Sequence, residues 1–125
     1  PIARLESIRI LLGIVCFLGF KLFQMVMKSA FLNGYFKEAA YVKQPKGFED
    51  PKCSNHVYKL DKALYGVNQA PRAWYDRLTT FLLDNDFQRG NVDKTLFVKH
   101  TKSHILVALI YVDDIVFGST VDHLV

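Results

Sequence analysis

Between His104 and Thr120 the chain carries only two charged side chains, and they are adjacent. Asp113 and Asp114 follow Tyr111-Val112 at the point where two apolar runs meet. The first is Ile105-Leu106-Val107-Ala108-Leu109-Ile110 and the second is Ile115-Val116-Phe117-Gly118. Short apolar runs rich in β-branched residues read as strands, so the segment is predicted as strand, tight turn, strand, with the acids at the turn. Paired carboxylates on a rigid turn suit hard divalent cations, which take oxygen ligands. Two-metal sites of that kind run phosphoryl and nucleotidyl transfer. Asp-Asp is equally an ordinary polar hairpin turn. Four residues do not separate the two readings.

The rest of the chain alternates helical and strand patterns. Residues 4–18 fit a helix, with Leu5, Ile8, Leu12 and Val15 as its apolar stripe and Arg4, Glu6, Ser7 and Arg9 at the polar end. Gly19 is its stop signal. The apolar run Ile10–Phe20 is eleven residues long, short of the roughly 20 needed to span a bilayer, and no small-residue cleavage pattern follows it. A buried amphipathic helix is the expectation. A strand over Lys21–Met27 follows, then a short helix capped by Ser29 and ending by Gly34. Pro45, Gly47, Pro51, Ser54 and Asn55 mark a loop, flanked by strands at Tyr41–Gln44 and His56–Leu60. Pro71 suits the first turn of a second helix, whose stripe is Trp74, Leu78, Phe81 and Leu82. Thr95–His100 and His104–Val112 form a hairpin around Thr101-Lys102-Ser103. There is no repeat, low-complexity tract or linker, so one domain over 1–125 is expected, of α+β class.

Composition narrows the function less. With 125 residues, half of them hydrophobic and 14% aromatic, the chain can bury a core and is no disordered tail. Sixteen basic against twelve acidic residues leave +4, which is compatible with a phosphate backbone without requiring one. Cys16 sits in an apolar run and reads as core; Cys53 sits in a polar loop. Neither zinc nor a disulfide framework is indicated, and a reducing intracellular setting fits best. His56, His100, His104 and His123 lack ligand spacing and read as surface. Lys28, Lys37, Lys43, Lys46, Lys59 and Lys62 lie among aromatic residues, either as a nucleic-acid track or as a plain solvated surface.

Five segments carry a resemblance. Lys21–Gly34 is similar to the first catalytic segment of copia-type retrotransposon reverse transcriptases, and Tyr41–Phe48 to the segment that follows it. Lys62–Tyr75 resembles the family's template- and nucleotide-contacting segment. Asp93–Phe97 and Tyr111–Asp114 complete the series in family order. The resemblance runs from about Ala3 to Thr120. It implies an RNA-directed DNA polymerase domain: the palm of a right-hand polymerase, an antiparallel sheet packed on helices, with a little of the fingers. The upstream fingers, the thumb and the ribonuclease H domain would then lie outside the chain. It also implies template-primer and deoxynucleotides as partners, no membrane, and a cytoplasmic particle as the setting. A palm without its neighbours would expose apolar surface and tend to associate.

The resemblance assigns roles residue by residue. Asp113 and Asp114 match the metal-binding turn, where two magnesium ions would activate the primer 3′ hydroxyl and steady the triphosphate. Where the family segment reads Gln-Met-Asp-Val-Lys-Ser-Ala-Phe, this chain reads Gln24-Met25-Val26-Met27-Lys28-Ser29-Ala30-Phe31. The first metal-binding aspartate is thus Val26, which has no lone pair to offer. Phe31 matches an aromatic that lies beside the incoming sugar; from the residues alone it is as readily a core side chain. Tyr65, Gly66, Gln69 and Arg72 match nucleotide- and template-binding positions, although by spacing they are also just a loop entering a helix. Asn68 stands where the family usually has lysine. The expectation is a polymerase fragment, catalytically dead through Val26. A non-catalytic nucleic-acid-binding remnant or an unstable relic of a decayed element are the alternatives.

Overall fold

The computed structural model describes residues 2 and 4–121. Among the described residues two α-helices, α1 (Leu5–Leu18) and α2 (Ala70–Asp84), accompany seven strands and a 3-10 turn at Ala30–Asn33. The strands are β1 (Lys21–Val26), β2 (Tyr35–Lys43), β3 (Val57–Lys62), β4 (Gln88–Arg89), β5 (Leu96–His100), β6 (Ile105–Tyr111) and β7 (Asp114–Ser119). Among the described residues all strand pairings are antiparallel, in keeping with the α+β class. The chain groups into two compact units. One takes the residues up to Lys28 and from Leu78 onward; the other is Ser29–Arg77.

The first unit is built on a five-stranded sheet in the order β1-β7-β6-β5-β4. Directly opposed residues of an antiparallel pair share a face. Pairing of Leu22 with Gly118, Gln24 with Val116 and Val26 with Asp114 therefore puts all six on one face, together with Val107, Leu109 and Tyr111 of β6. The Leu22 end of that face is covered: Val107, Leu109 and Val116 pack in a core with Leu11, Val15 and Phe20. The opposite face buries Phe97, Ala108, Ile110 and Ile115. There Phe23 lies against Phe117 with ring centroids 6.0 Å apart.

Helix α1 ends as predicted at Gly19, which takes φ +69 and donates its N–H to the Val15 carbonyl. That left-handed position is open to glycine without cost. The predicted stripe is wrong in register. Leu5, Ile8 and Leu12 are exposed, while Leu11 is buried and Val15 packs against the core. Nearly every position from Ile10 to Leu18 is apolar, so the sequence period could not choose a face. Cys16 is likewise exposed rather than core. Ile10, Ile14, Phe17 and Leu18 are exposed too, so α1 is not the buried helix expected. No helix among the described residues is long and apolar enough to cross a membrane.

Asp93 joins this unit together. Its Oδ1 accepts hydrogen bonds from the Thr95 N–H at 2.8 Å and the Thr95 hydroxyl at 2.6 Å. Burial pushes its carboxyl up, but bonds from the Ser7 side chain, Thr95 and the Arg4 backbone together hold it below its ordinary value.

In the second unit β2 and β3 are a two-stranded sheet, both longer than predicted. The loop between them is held by one side chain. Gln44 Nε2 donates to the carbonyls of Cys53 and His56, and its Oε1 accepts from the Asp50 N–H at 2.7 Å. Ser29 does not cap the short helix through its hydroxyl; it takes φ +57, and its carbonyl receives the Leu32 N–H and the Asn33 amide. Gly34 lies so close to α2 that a Cβ would sit 2.6 Å from the Trp74 nitrogen. Along α2, Trp74, Leu78 and Leu82 are buried as predicted, but Phe81 is 61% exposed. Neighbouring positions of this helix can both be buried, as Ala73 with Trp74 and Leu78 with Thr79 are, so it is the packing at this point that leaves Phe81 outside.

Candidate functional site

The hairpin predicted at Asp113 and Asp114 is present. Tyr111 pairs with Asp114 across β6 and β7, leaving Val112 and Asp113 as a two-residue connection. Asp114 opens β7 and is paired on its other side with Val26, the last residue of β1. The Met27 N–H donates to the Asp113 carbonyl at 2.8 Å and extends that pairing into the turn. Side chains so opposed lie on one face with Cβ atoms about 4.5–5.5 Å apart. Val26 is therefore the side chain that meets Asp114 across the strands. It is 63% exposed, on the end of the face that α1 leaves open.

Gln24 was missed from sequence. It lies two residues before Val26, hence on the same face, and its Nε2 donates to Asp114 Oδ1 at 3.0 Å. The period of two along a strand was the signal that could have found it. The turn itself is strained. Val112 has φ +57 while Asp113 does not have a positive φ, the signature of a type II′ turn, whose first central position favours glycine. A β-branched residue there costs on the order of 1–3 kcal/mol. Val112→Gly is expected to raise stability by about 1 kcal/mol, since the side chain is exposed and little packing is lost. A urea midpoint that falls in that variant would show that the valine side chain is held by contacts worth more than the strain.

The second unit holds the other predicted residues. Phe31 packs on Tyr65 with centroids 4.7 Å apart, and Gly66 follows at φ +89. Gln69 and Arg72 line an open concavity with Tyr35, Lys37, Glu38 and Asp76. Lys37 pairs with Asp76 at 3.3 Å. Tyr35, not singled out by the sequence, lies under two cations: Lys62 Nζ is 5.3 Å and Arg77 Cζ 5.6 Å from its ring centroid. Such contacts hold cations over an aromatic face. The structure thus brings Phe31 to Tyr65 and Gln69 to Arg72 in one unit, and Val26, Asp113 and Asp114 together in the other.

On β1 the side chain paired with the carboxylate turn offers no oxygen to a metal ion. Hard divalent ions take about six oxygen ligands each. Here Asp114 is paired across the strands with an aliphatic side chain, and one of its oxygens already accepts from Gln24. Among the described residues no three His, Cys, Asp or Glu side chains form a group able to hold a metal ion.

A family model described as reverse transcriptase (RNA-dependent DNA polymerase) matches residues 1–124. The chain is 43% identical over 115 residues to the retrovirus-related Pol polyprotein from transposon RE1 of Arabidopsis thaliana, covering 92% of this chain and 8% of that protein. It is 41% identical to the corresponding polyprotein from transposon RE2 of the same plant, with the same coverage. With the polyprotein from transposon TNT 1-94 of Nicotiana tabacum it shares 35% over 91% of its length, 9% of the relative. The chain thus spans less than a tenth of these relatives. No solved structure matches it.

Proposed function

Because the chain belongs to the reverse transcriptase (RNA-dependent DNA polymerase) family, we propose that it is the palm core, with a little of the fingers, of a copia-type retrotransposon Pol polyprotein, and that it is catalytically silent. A working enzyme of this kind would add further fingers, a thumb and ribonuclease H to this core. Its partners would be an RNA or DNA template-primer and deoxynucleotides. Asp113 and Asp114 would be the remaining carboxylates of the polymerising centre. Phe31, stacked on Tyr65, would border the sugar of an incoming nucleotide. Gly66, Gln69 and Arg72 would contact nucleotide or template, since glycine admits close approach and the glutamine and arginine side chains donate hydrogen bonds.

The observation that carries the silent reading is the cross-strand pair of Val26 with Asp114. The divalent metal use general to the family needs oxygen ligands, and the β1 side chain paired with Asp114 supplies none. The concavity holding Gln69 and Arg72 favours a second reading in which nucleic acid is still held but not extended. A relic with no stable fold is the third.

Manganese titration followed by electron paramagnetic resonance tests the silent reading on the chain itself. As written, it should show no saturable site at the turn. Val26→Asp should tighten binding about tenfold or more, because a charge added at contact distance near a protein surface is worth over about 1.4 kcal/mol. Equal affinity in the two proteins would mean that the turn holds its ion without a third carboxylate.

A further inference from the structure

One edge of the five-stranded sheet is open. β1 is the last strand in the order β1-β7-β6-β5-β4, and no described residue pairs with its other side. The ladder determines which of its backbone groups are left over. Met27 donates its N–H to the Asp113 carbonyl, and bonded positions alternate along an antiparallel pair. Met25, Phe23 and Lys21, opposite Ile115, Phe117 and Ser119, therefore turn their N–H and C=O groups toward β7. Leu22, Gln24 and Val26 turn theirs outward. Natural edges are guarded by charge, proline or a bulge. Here the strand holds no proline, its one charged residue is Lys21 at the start, and Phe23, Met25 and Val26 are exposed. Valine at position 26, where the family segment has aspartate, leaves the middle and end of this edge uncharged.

We propose that β1 pairs with β1 of a second copy of this chain, antiparallel and centred on Gln24, joining two five-stranded sheets into one. Register chooses this occupant. A two-fold strand pair sets each residue opposite one at a mirrored position, and opposed side chains share a face. Centring on Gln24 puts Gln24 opposite its own copy and Leu22 opposite the partner's Val26. All the residues with outward backbone groups then stand at bonded positions, giving roughly six hydrogen bonds at two per opposed pair. Centring on Phe23 or Met25 instead leaves Val26 or Leu22 facing a residue beyond the strand. The side chains agree with the same register. On one face Leu22 meets the partner's Val26. On the other, Phe23 meets the partner's Met25, an aromatic–thioether contact at the closely spaced positions of the ladder. Phe23 is already supported by Phe117. Lys21 faces the partner's Met27, so no like charges are opposed. An unrelated strand could use the backbone groups alone; a second copy also brings apolar partners on both faces. The contact is one strand wide, smaller than the ~1,200 Å² of standard interfaces, so a reversible dimer at micromolar concentration or above is expected.

The test is sedimentation equilibrium of the full chain over a range of concentrations, with a chelator present so that metal plays no part. A monomer–dimer equilibrium is expected. Gln24→Pro removes an outward N–H that β7 does not use, a change edge strands tolerate. It should weaken the dimer about tenfold or more, because each copy loses a hydrogen bond across the pair. Val26→Lys sets a charge opposite the partner's Leu22 while leaving Asp114 of its own chain as a neighbour, and should weaken the dimer likewise. Circular dichroism melts show that the variants fold, and Val26→Lys carries the test if proline disturbs β1. Hydrogen exchange reads the register. Amides of Leu22, Gln24 and Val26 should gain protection as concentration rises, whereas those of Phe23 and Met25 are protected throughout. A chain that stays monomeric at millimolar concentration overturns the proposal. So does association that both variants retain, or that brings no protection to Leu22, Gln24 and Val26. Association lost in Phe17→Glu, on the exposed side of α1, but kept in Val26→Lys would place the contact on the helix and overturn it too. None of these outcomes touches the silent reading, which the metal titration decides.

Discussion

An intact relative in which the segment Lys21–Gly34 of this chain replaces its counterpart is expected to lose RNA-templated primer extension by about a thousandfold or more. The magnitude follows from the side chain lost. Charge stabilisation at a metal-assisted centre is worth several kcal/mol, and a loss of even ~4 kcal/mol is about three powers of ten at 1.36 kcal/mol per tenfold. The location follows from register: Val26 is the residue opposite Asp114, so no nearby side chain of β1 can take its place. Gln24, on the same face, donates to Asp114 and is no anionic substitute. Val26→Asp in the graft should restore extension, and Val26→Asn, similar in shape but uncharged, should not. If the valine graft extends primers as fast as the aspartate-restored one, the carboxylate is dispensable and the silent reading fails. The fold gives valine no reason to be selected against, because β-branched residues suit strands. One base change suffices to convert an aspartate codon to a valine codon.

The site was legible in the sequence where local pattern and geometry coincide. Two adjacent acids between apolar runs can only be a turn there, and strand parity then fixes which residues face together. The strand before Ser29 was readable for the same reason, and its pairing with β7 placed Val26 at the turn. What was not legible depended on choosing among equivalent positions. In α1 almost every residue is apolar, so the buried line through Leu11 and Val15 could not be told from Leu5, Ile8 and Leu12. In α2, Phe81 and Leu82 are neighbours and only packing decides which is buried. The positive φ of Val112 was invisible because nothing in a valine announces it. The grouping into two units was also unmarked, since its boundaries fall in a short turn at Lys28 and within α2 rather than in a linker.

Gly118→Ala should be among the most damaging small changes in the first unit. Gly118 lies in β7 between Leu22 of β1 and Val107 of β6. Its φ is not of the positive kind, so the constraint is space rather than conformation. A Cβ there would stand 2.4 Å from the Lys21 carbonyl oxygen, 2.9 Å from Leu22 Cδ2 and 3.3 Å from Phe20 Cε2. The leucine methyl could swing away, but the carbonyl belongs to the backbone that starts β1. Relief therefore requires β1 to move off β7, which also loosens Phe20 from the core it shares with Leu11 and Leu109. Overpacking of this kind costs about 3 kcal/mol, a fall in Tm of roughly 10 °C for a chain this size. Gly13→Ala is the matched control. Gly13 is inside α1 with nothing within 4 Å of an added Cβ, so alanine should stabilise by about 0.5–1 kcal/mol through helix propensity. Hydrogen exchange locates the effect: amides of β1 should lose protection in Gly118→Ala before those of β5 and β6 do. A Gly118→Ala protein that melts with the parent and keeps β1 protected would show that the strand absorbs a methyl without shifting. The contact between β1 and β7 that places Val26 at the Asp113–Asp114 turn would then be looser than described.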